Sequence, residues 1–323
     1  MLDVPANLRP YGPVLTGKSF ALAFISSNVV FQATQLDTDF IIKTNNRVMT
    51  IQSIKEQVLT GFEGVVYYRA RSILLLAPTL FIGPGDKTHK RKCIRLIIGC
   101  RGPVKAAYDD GRSIEGRVLL LGDNAGLCEI EGIAADVALV DFSPATAEYR
   151  ALERYLAGRP YMELDFAPFY ELVPHFQNGQ GGSLECRQLG ELQQRTVMKA
   201  TGSQLAPLEF DSRIIKSLRI IDELPLAEIS LGVLSKAVNL SADRFRHLFK
   251  ESTGCTVSQY ARHAALWRAL NLITRQGYTI TAASHALGFH DVSHFYRVYS
   301  DLFGISLSER SNPRKFRRVR CFD

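Results

Sequence analysis

Two short helix-turn-helix patterns, about fifty residues apart near the C-terminus, constrain this chain more than any other feature. In the first, Leu231 to Val238 reads as a short helix with Val233, Leu234 and Ala237 turned inward. Asn239-Leu240 makes the turn, Ser241 caps a helix from Ala242 to Ser252, and Gly254 closes it. Phe245, Leu248 and Phe249 recur at helical spacing and form its buried face. Asp243, Arg244, Arg246, His247 and Lys250 fall on the other faces. In the second pattern Ile280 to Leu287 is the short helix and Gly288-Phe289-His290 the turn. Asp291 caps a helix from Val292 to Phe303, which Gly304 closes. Phe295, Val298, Tyr299 and Leu302 face inward, while Ser293, His294 and Arg297 are free to face out. Val257 to Thr274, between the patterns, predicts a helical rod of roughly 27 Å, against about 34 Å for one turn of DNA. A rod of that length could present two recognition helices to successive major grooves on one side of a duplex. One such pattern is weak evidence, because helical hairpins are common. Two in tandem, joined by a rigid helix, are specific.

Charge points the same way. The net charge is +7, but residues 212–323 hold 17 Lys and Arg against 9 Asp and Glu, whereas residues 1–211 hold 22 against 23. The positive balance therefore belongs to the last third of the chain, as in a nucleic-acid-binding domain beside a near-neutral one. The alternative is a basic domain whose charge serves only solubility. At 323 residues the chain suits two domains, each able to bury its own core.

The stretches Leu231-Gly-Val-Leu-Ser-Lys-Ala and Leu240-Ser-Ala-Asp-Arg-Phe-Arg-His-Leu-Phe-Lys resemble the first half of the AraC/XylS DNA-binding domain. Ile280-Thr-Ala-Ala-Ser-His-Ala-Leu-Gly-Phe, then Ser293-His-Phe-Tyr-Arg-Val-Tyr and Leu302-Phe-Gly, are similar to that family's signature. The resemblance spans about residues 213–311 and departs from the usual pattern at Ala265, Leu307 and Arg310. It implies base reading by Asp243, Arg246 and His247 in the first recognition helix and by Ser293, His294 and Arg297 in the second. Arg244 and Lys250 stand beside them as further DNA contacts. Two alternatives stay open: a bracing role within the domain for Arg297, and a helix-dipole role for Asp243. Arg246 is the strongest base reader, since Arg grips guanine through two hydrogen bonds. The basic tail, Arg314 to Arg320, reads as a solvated end touching phosphates without specificity. Double-stranded DNA, a small-molecule effector, a second copy of the chain and RNA polymerase are the partners so implied.

The first half looks different. Short apolar runs such as Ile73 to Leu76, Ile94 to Ile98 and Val137 to Val140 alternate with turns such as Asp109-Asp110-Gly111, which suggests a small, cupin-like β-barrel. Helices follow at Pro144 to Ala157 and Leu189 to Thr201, with a linker at Gly202 to Asp211. The expected fold is thus a two-domain α+β chain: a barrel sensor over 1–175, helix and linker over 176–211, and an all-α DNA-binding domain over 212–323. Leu152, Tyr155 and Leu156 recur at helical spacing and could form a dimer seam or pack on the barrel.

Within the barrel region seven cations crowd residues 87–105, and Arg91-Lys-Cys-Ile-Arg95 precedes Asp110-Gly-Arg-Ser113-Ile-Glu-Gly116. The two segments resemble the paired motifs by which PilZ domains bind cyclic di-GMP. That resemblance implies an anionic nucleotide effector held by Lys90, Arg91, Arg95, Asp109, Asp110, Ser113 and Gly116, with Arg69 and Arg71 as added ligands. Guanidinium groups suit phosphates and the guanine edge. One departure is that Asp110 lies three residues before Ser113, not two. The alternatives are a solvated or DNA-facing basic loop, with a neutral or apolar small molecule taken inside the barrel. Only His89 and His175 occur in this half, too few for a metal cupin, and no catalytic motif is found, so neither an enzyme nor a cofactor is expected. Six scattered cysteines, no export signal and no apolar run of membrane length suggest reduced thiols in a cytoplasmic protein.

Overall fold

A strand made wholly of apolar residues cannot leave one face in water, and runs such as Ile73 to Leu76 are buried on both faces. The computed structural model describes residues 22–26, 29–36, 39–44, 47–50, 64–69, 71–82, 92–108, 110–123, 126, 128–207, 209–303 and 316–321. Contacts divide the chain into two units, Met1–Gly61 and Phe62–Asp323. The first holds an antiparallel four-stranded meander, β1 (Leu22–Ser26), β2 (Val29–Leu36), β3 (Asp39–Thr44) and β4 (Arg47–Thr50).

The second unit begins with strands β5 (Gly64–Arg69), β6 (Ser72–Ala77), β7 (Leu80–Ile82), β8 (Ile94–Gly99) and β9 (Val104–Tyr108). It continues with β10 (Ser113–Gly116), β11 (Val118–Leu121), β12 (Cys128–Gly132), β13 (Val137–Phe142) and β14 (Tyr161–Leu164). A last strand, β15 (Phe316–Cys321), comes from the C-terminus. They form a four-stranded sheet of order β10-β9-β12-β7 and a seven-stranded sheet of order β14-β11-β8-β13-β6-β5-β15. Among the described residues neither sheet closes on itself, so the expected closed barrel is not formed by them. The physical reason lies in the long apolar runs. Strands β6, β8 and β13 are buried at every position, the mark of a sheet covered on both faces and not of a barrel wall with a wet exterior.

Helices supply one of those covers. α1 (Ala147–Leu156), a 3-10 turn (Ala167–Leu172), α2 (Val173–Gly179) and α3 (Cys186–Thr201) follow the strands. Leu152 and Leu156 of α1, with Leu189, Leu192 and Val197 of α3, join Leu74, Leu96, Leu120 and Val140 of the sheet in one core. Leu152 and Leu156 are therefore core residues and only Tyr155 of the suggested seam remains exposed. Of the cysteines, Cys100 and Cys255 are free and buried, and burial pushes their thiols up to about 12 and about 11.

From residue 212 the described chain is helical up to Phe303. α4 (Ser212–Glu223), a 3-10 turn (Leu226–Glu228), α5 (Leu231–Ala237), α6 (Ala242–Thr253), α7 (Val257–Arg275), α8 (Ile280–Ala286) and α9 (Val292–Phe303) succeed one another. The local signals explain the boundaries. Ser241 Oγ accepts from the Arg244 amide, and Gly254 ends α6 in the left-handed region at φ +80°. Thr256 and Gln259 form a reciprocal capping box at the start of α7. Phe245 and Phe249 are fully buried, as are Phe295, Tyr299 and Leu302, with Val298 nearly so. Val233 does not turn inward as expected and is 44% exposed. The inward stripe of this two-turn helix instead runs through Leu234 and Ser235 to Val238. Gly304 lies outside the described residues.

Candidate nucleic-acid interface and its tether

Helical spacing decides what α6 shows to solvent. Asp243, Arg246, His247 and Lys250 stand at i, i+3, i+4 and i+7, one face of the helix, and all four are exposed. Arg244 is exposed beside them. Arg246 donates from Nη2 to Asp243 Oδ1 at 2.6 Å, and His247 Nε2 lies 3.7 Å from the same oxygen. The carboxylate thus sits where it orients the Arg246 guanidinium, a third role beside the two read from sequence. Such exposed pairs add little stability, so Arg246 can exchange Asp243 for an outside partner at small cost.

On α9, Ser293 and Arg297 are exposed and His294 is half-buried. The His294 ring packs edge-on against Phe289 at 5.5 Å, and its Nδ1 accepts from the His290 amide at 3.4 Å. Burial, then the cations Arg297 and Arg262, hold its pKa below the ordinary imidazole value. Asp291 caps α9, accepting from the His294 amide at 2.5 Å. The His290 side chain and that amide hold the Asp291 carboxyl below its usual range. His294 therefore serves the turn as well as the surface. Ser293 and Arg297 are the freer candidates.

The described members of the proposed ligand cluster point to different partners. Lys90, Arg91 and Asp109 lie outside the described residues. Arg95 is 2% exposed and committed: Nε and Nη2 donate to Asp141 Oδ1 and Oδ2 at 2.7 and 2.9 Å, and Nη2 also donates to the Phe303 carbonyl at 2.8 Å. Asp110 folds back on Arg112, accepting from its amide and its Nε. Arg71 pairs with Asp222 at 3.1 Å and stacks 4.4 Å over the Tyr260 ring. Arg69 lies against Gly190 of α3. Ser113 is exposed on β10, with Gly116 at the far end of that strand, in a different sheet from Arg95.

What the sequence did not show is where these arginines go. Arg95 and Arg150 hold the C-terminal ends of α9 and α6 respectively. Arg95 binds the last carbonyl of α9, and the Lys92 amide donates to the Asp301 carbonyl at 3.0 Å. Arg150 of α1 donates to the Glu251 and Ser252 carbonyls near the end of α6. Cations suit helix C-termini, where unpaired carbonyls and the helix dipole concentrate negative charge. Trp267 of α7, the only tryptophan, donates to Ser143 Oγ at 3.3 Å and meets Phe303 edge-on. The tail differs too. Instead of a free basic end, β15 pairs in parallel with β5, Phe316 opposite Gly64 and Cys321 opposite Arg69. A sheet edge offers unpaired backbone groups to a strand whatever its side chains.

Residues 234–312 match the family described as Helix-turn-helix domain. The chain is 26% identical over 157 residues to the arabinose operon regulatory protein of Escherichia coli (strain K12), covering 45% of this chain and 53% of that protein. It is 25% identical over 122 residues to regulatory protein PocR of Salmonella typhimurium, covering 36% and 40%. The chain thus spans about half the length of the curated relatives it matches. The crystal structure of ToxT from Vibrio cholerae O395 aligns with 74% of this chain and 96% of its own, at 13% identity and a TM-score of 0.44. No helix among the described residues is long and apolar enough to cross a membrane. Residues 234–312 thus form a helix-turn-helix domain.

Proposed function

We propose that the protein is a transcription regulator that binds double-stranded DNA through α6 and α9 and is controlled by a small molecule at its β-rich half. The observation that carries this reading is the pair of exposed polar helix faces, Asp243 to Lys250 and Ser293 to Arg297, joined by one nineteen-residue helix. That helix is about 28 Å long at 1.5 Å per residue, close to the spacing of successive major grooves. The division of labour in this reading is a sensor over 1–175, a helix and linker over 176–211 and a DNA-binding domain over 212–323. A homodimer and contact with RNA polymerase belong to the same proposal.

The 323-residue chain should bind a duplex selected from a randomised library, with affinity falling steeply as salt rises. Arg246→Ala should weaken that binding by about 1–3 kcal/mol and relax preference at one base position. Binding titrations across single-base variants of the selected duplex check both points. No binding to any library member, or a variant that loses affinity equally for every sequence, counts against the reading.

For the effector, the commitments of Arg95 favour a molecule other than cyclic di-GMP. A nucleotide bound through Arg95 would have to displace both Asp141 and the Phe303 carbonyl from a buried guanidinium. Calorimetric titration of the 323-residue chain with cyclic di-GMP is expected to show no saturable heat. Saturable binding that Arg91→Ala abolishes would reinstate the nucleotide reading.

A further inference from the structure

Three cavities lined by described residues differ in the charge of their walls. Those of about 700 and 400 Å³ include a carboxylate, Glu209 in one and Glu191 in the other. The third, of about 380 Å³, includes none. It opens where the start of α5 (Ser230), the first turns of α7 (Ser258, Arg262) and α9 (His294) meet, at the junction of the two helix-turn-helix motifs. Its polar groups, set among the apolar Leu226, Ile229, Leu231, Val257 and Ala261, are all able to donate. Arg262 brings a guanidinium that forms no ion pair or hydrogen bond with another described residue. Ser230 Oγ accepts from the Val233 amide, which leaves its proton to give elsewhere. The His294 ring, with Nδ1 accepting from the His290 amide, keeps Nε2–H as its donor. A cation and several neutral donors around a small hollow, with no carboxylate, are the chemistry of a tetrahedral oxyanion seat.

The position says which oxyanion. When two recognition helices occupy successive major grooves, the minor groove between them faces the junction of the motifs. The first helix of such a motif crosses the backbone there. Phosphates, and not base edges, are then the nearest charged groups. We infer that this cavity seats a backbone phosphate of bound DNA, with Arg262 as its principal ligand and Ser258 and Ser230 as hydroxyl donors. Such a contact fixes register on the duplex and carries no sequence information. The inference rests on the regulator reading and deepens it.

The test uses the whole 323-residue chain, the library-selected duplex and a mixed-sequence duplex. Arg262→Gln should weaken binding to both by the same factor, roughly tenfold for one charged contact. It should also reduce the slope of log affinity against log salt by about one. Arg262→Lys should keep the slope, because a point charge still neutralises a phosphate. Ser258→Ala should lower affinity for both duplexes alike, by less. A buried, packed Trp267 emission in each variant excludes mere unfolding, and a purely structural role would not move the salt slope. An unchanged slope in Arg262→Gln, or a loss confined to the selected duplex, overturns the seat while leaving the regulator reading intact. Saturable binding of inorganic phosphate without DNA, lost in Arg262→Gln while the DNA slope stays unchanged, would assign the cavity to a free anion instead. Wild type that binds neither duplex sinks both readings.

Discussion

Arg95→Ala should cost about 3–5 kcal/mol of stability, the penalty for removing one partner of a buried ion pair. Asp141 is fully buried and would lose both guanidinium hydrogen bonds, while the Phe303 carbonyl at the end of α9 would lose its donor. The buried carboxylate deprived of its guanidinium counter-charge, more than the missing hydrogen bonds themselves, sets the size of the effect. Replacing both partners by apolar residues of similar volume, Arg95→Met with Asp141→Leu, should therefore recover most of the stability. Arg95→Lys should fall between, since an ammonium cannot serve two carboxylate oxygens and a carbonyl in one planar fork. Urea unfolding followed by far-ultraviolet circular dichroism gives the stability. Trp267 emission, from a nearly buried indole beside Phe303, reports the packing between the β-rich and helical regions. A double variant no more stable than Arg95→Ala would refute the assignment of the cost to the lost counter-charge at Asp141.

Acid should weaken the protein through His263. This residue of α7 is 5% exposed, and its pKa is lowered from 6.5 to about 3. Burial is the main cause, followed by the cations Arg262, Arg71 and Lys92. In the unfolded chain the imidazole takes up its proton near pH 6.5, whereas in the fold it stays neutral down to about pH 3. Between those values the unfolded state binds one more proton. Each unit fall in pH then removes up to about 1.4 kcal/mol of stability, and the effect is absent well above pH 6.5. At pH 4.5 this amounts to roughly 3 kcal/mol. His263→Leu has no such proton to bind. Its stability relative to wild type should therefore rise steadily as pH falls from about 7.5 to 4.5. Equal differences at both ends of that range would remove His263 as the cause. Two of the three cations come from the β-rich region, so the same acid sensitivity bears on how that region holds α7.

The helical third is legible because its determinants are local. Ser241, Thr256 and Thr279 cap helices by bonding amides three residues on, and Gly254 takes the left-handed conformation that ends α6. Phe245 and Phe249 meet on one face because a helix repeats every 3.6 residues. Such contacts span three or four positions, so residue order alone fixes them. The outward faces of α6 and α9 follow as the remainder, so the candidate DNA contacts can be named from residue order alone.

Only the tertiary structure decided the rest. A cluster of cations in the sequence carries no information about the partners they will find. Arg95, one of a pair resembling a nucleotide clamp, finds Asp141 46 residues away and the Phe303 carbonyl 208 residues away. Arg71 finds Asp222 in the same manner, across 151 positions. The tail is a parallel partner of β5, a pairing made by backbone groups that every non-proline residue possesses. Val233 stands outside because Leu234, Ser235 and Val238 take the inward side of α5, and packing against distant segments, not the apolarity of one residue, decides which side that is. Periodicity and caps are written in neighbouring residues. Charge pairing and strand partnership depend on which distant segments the fold brings together.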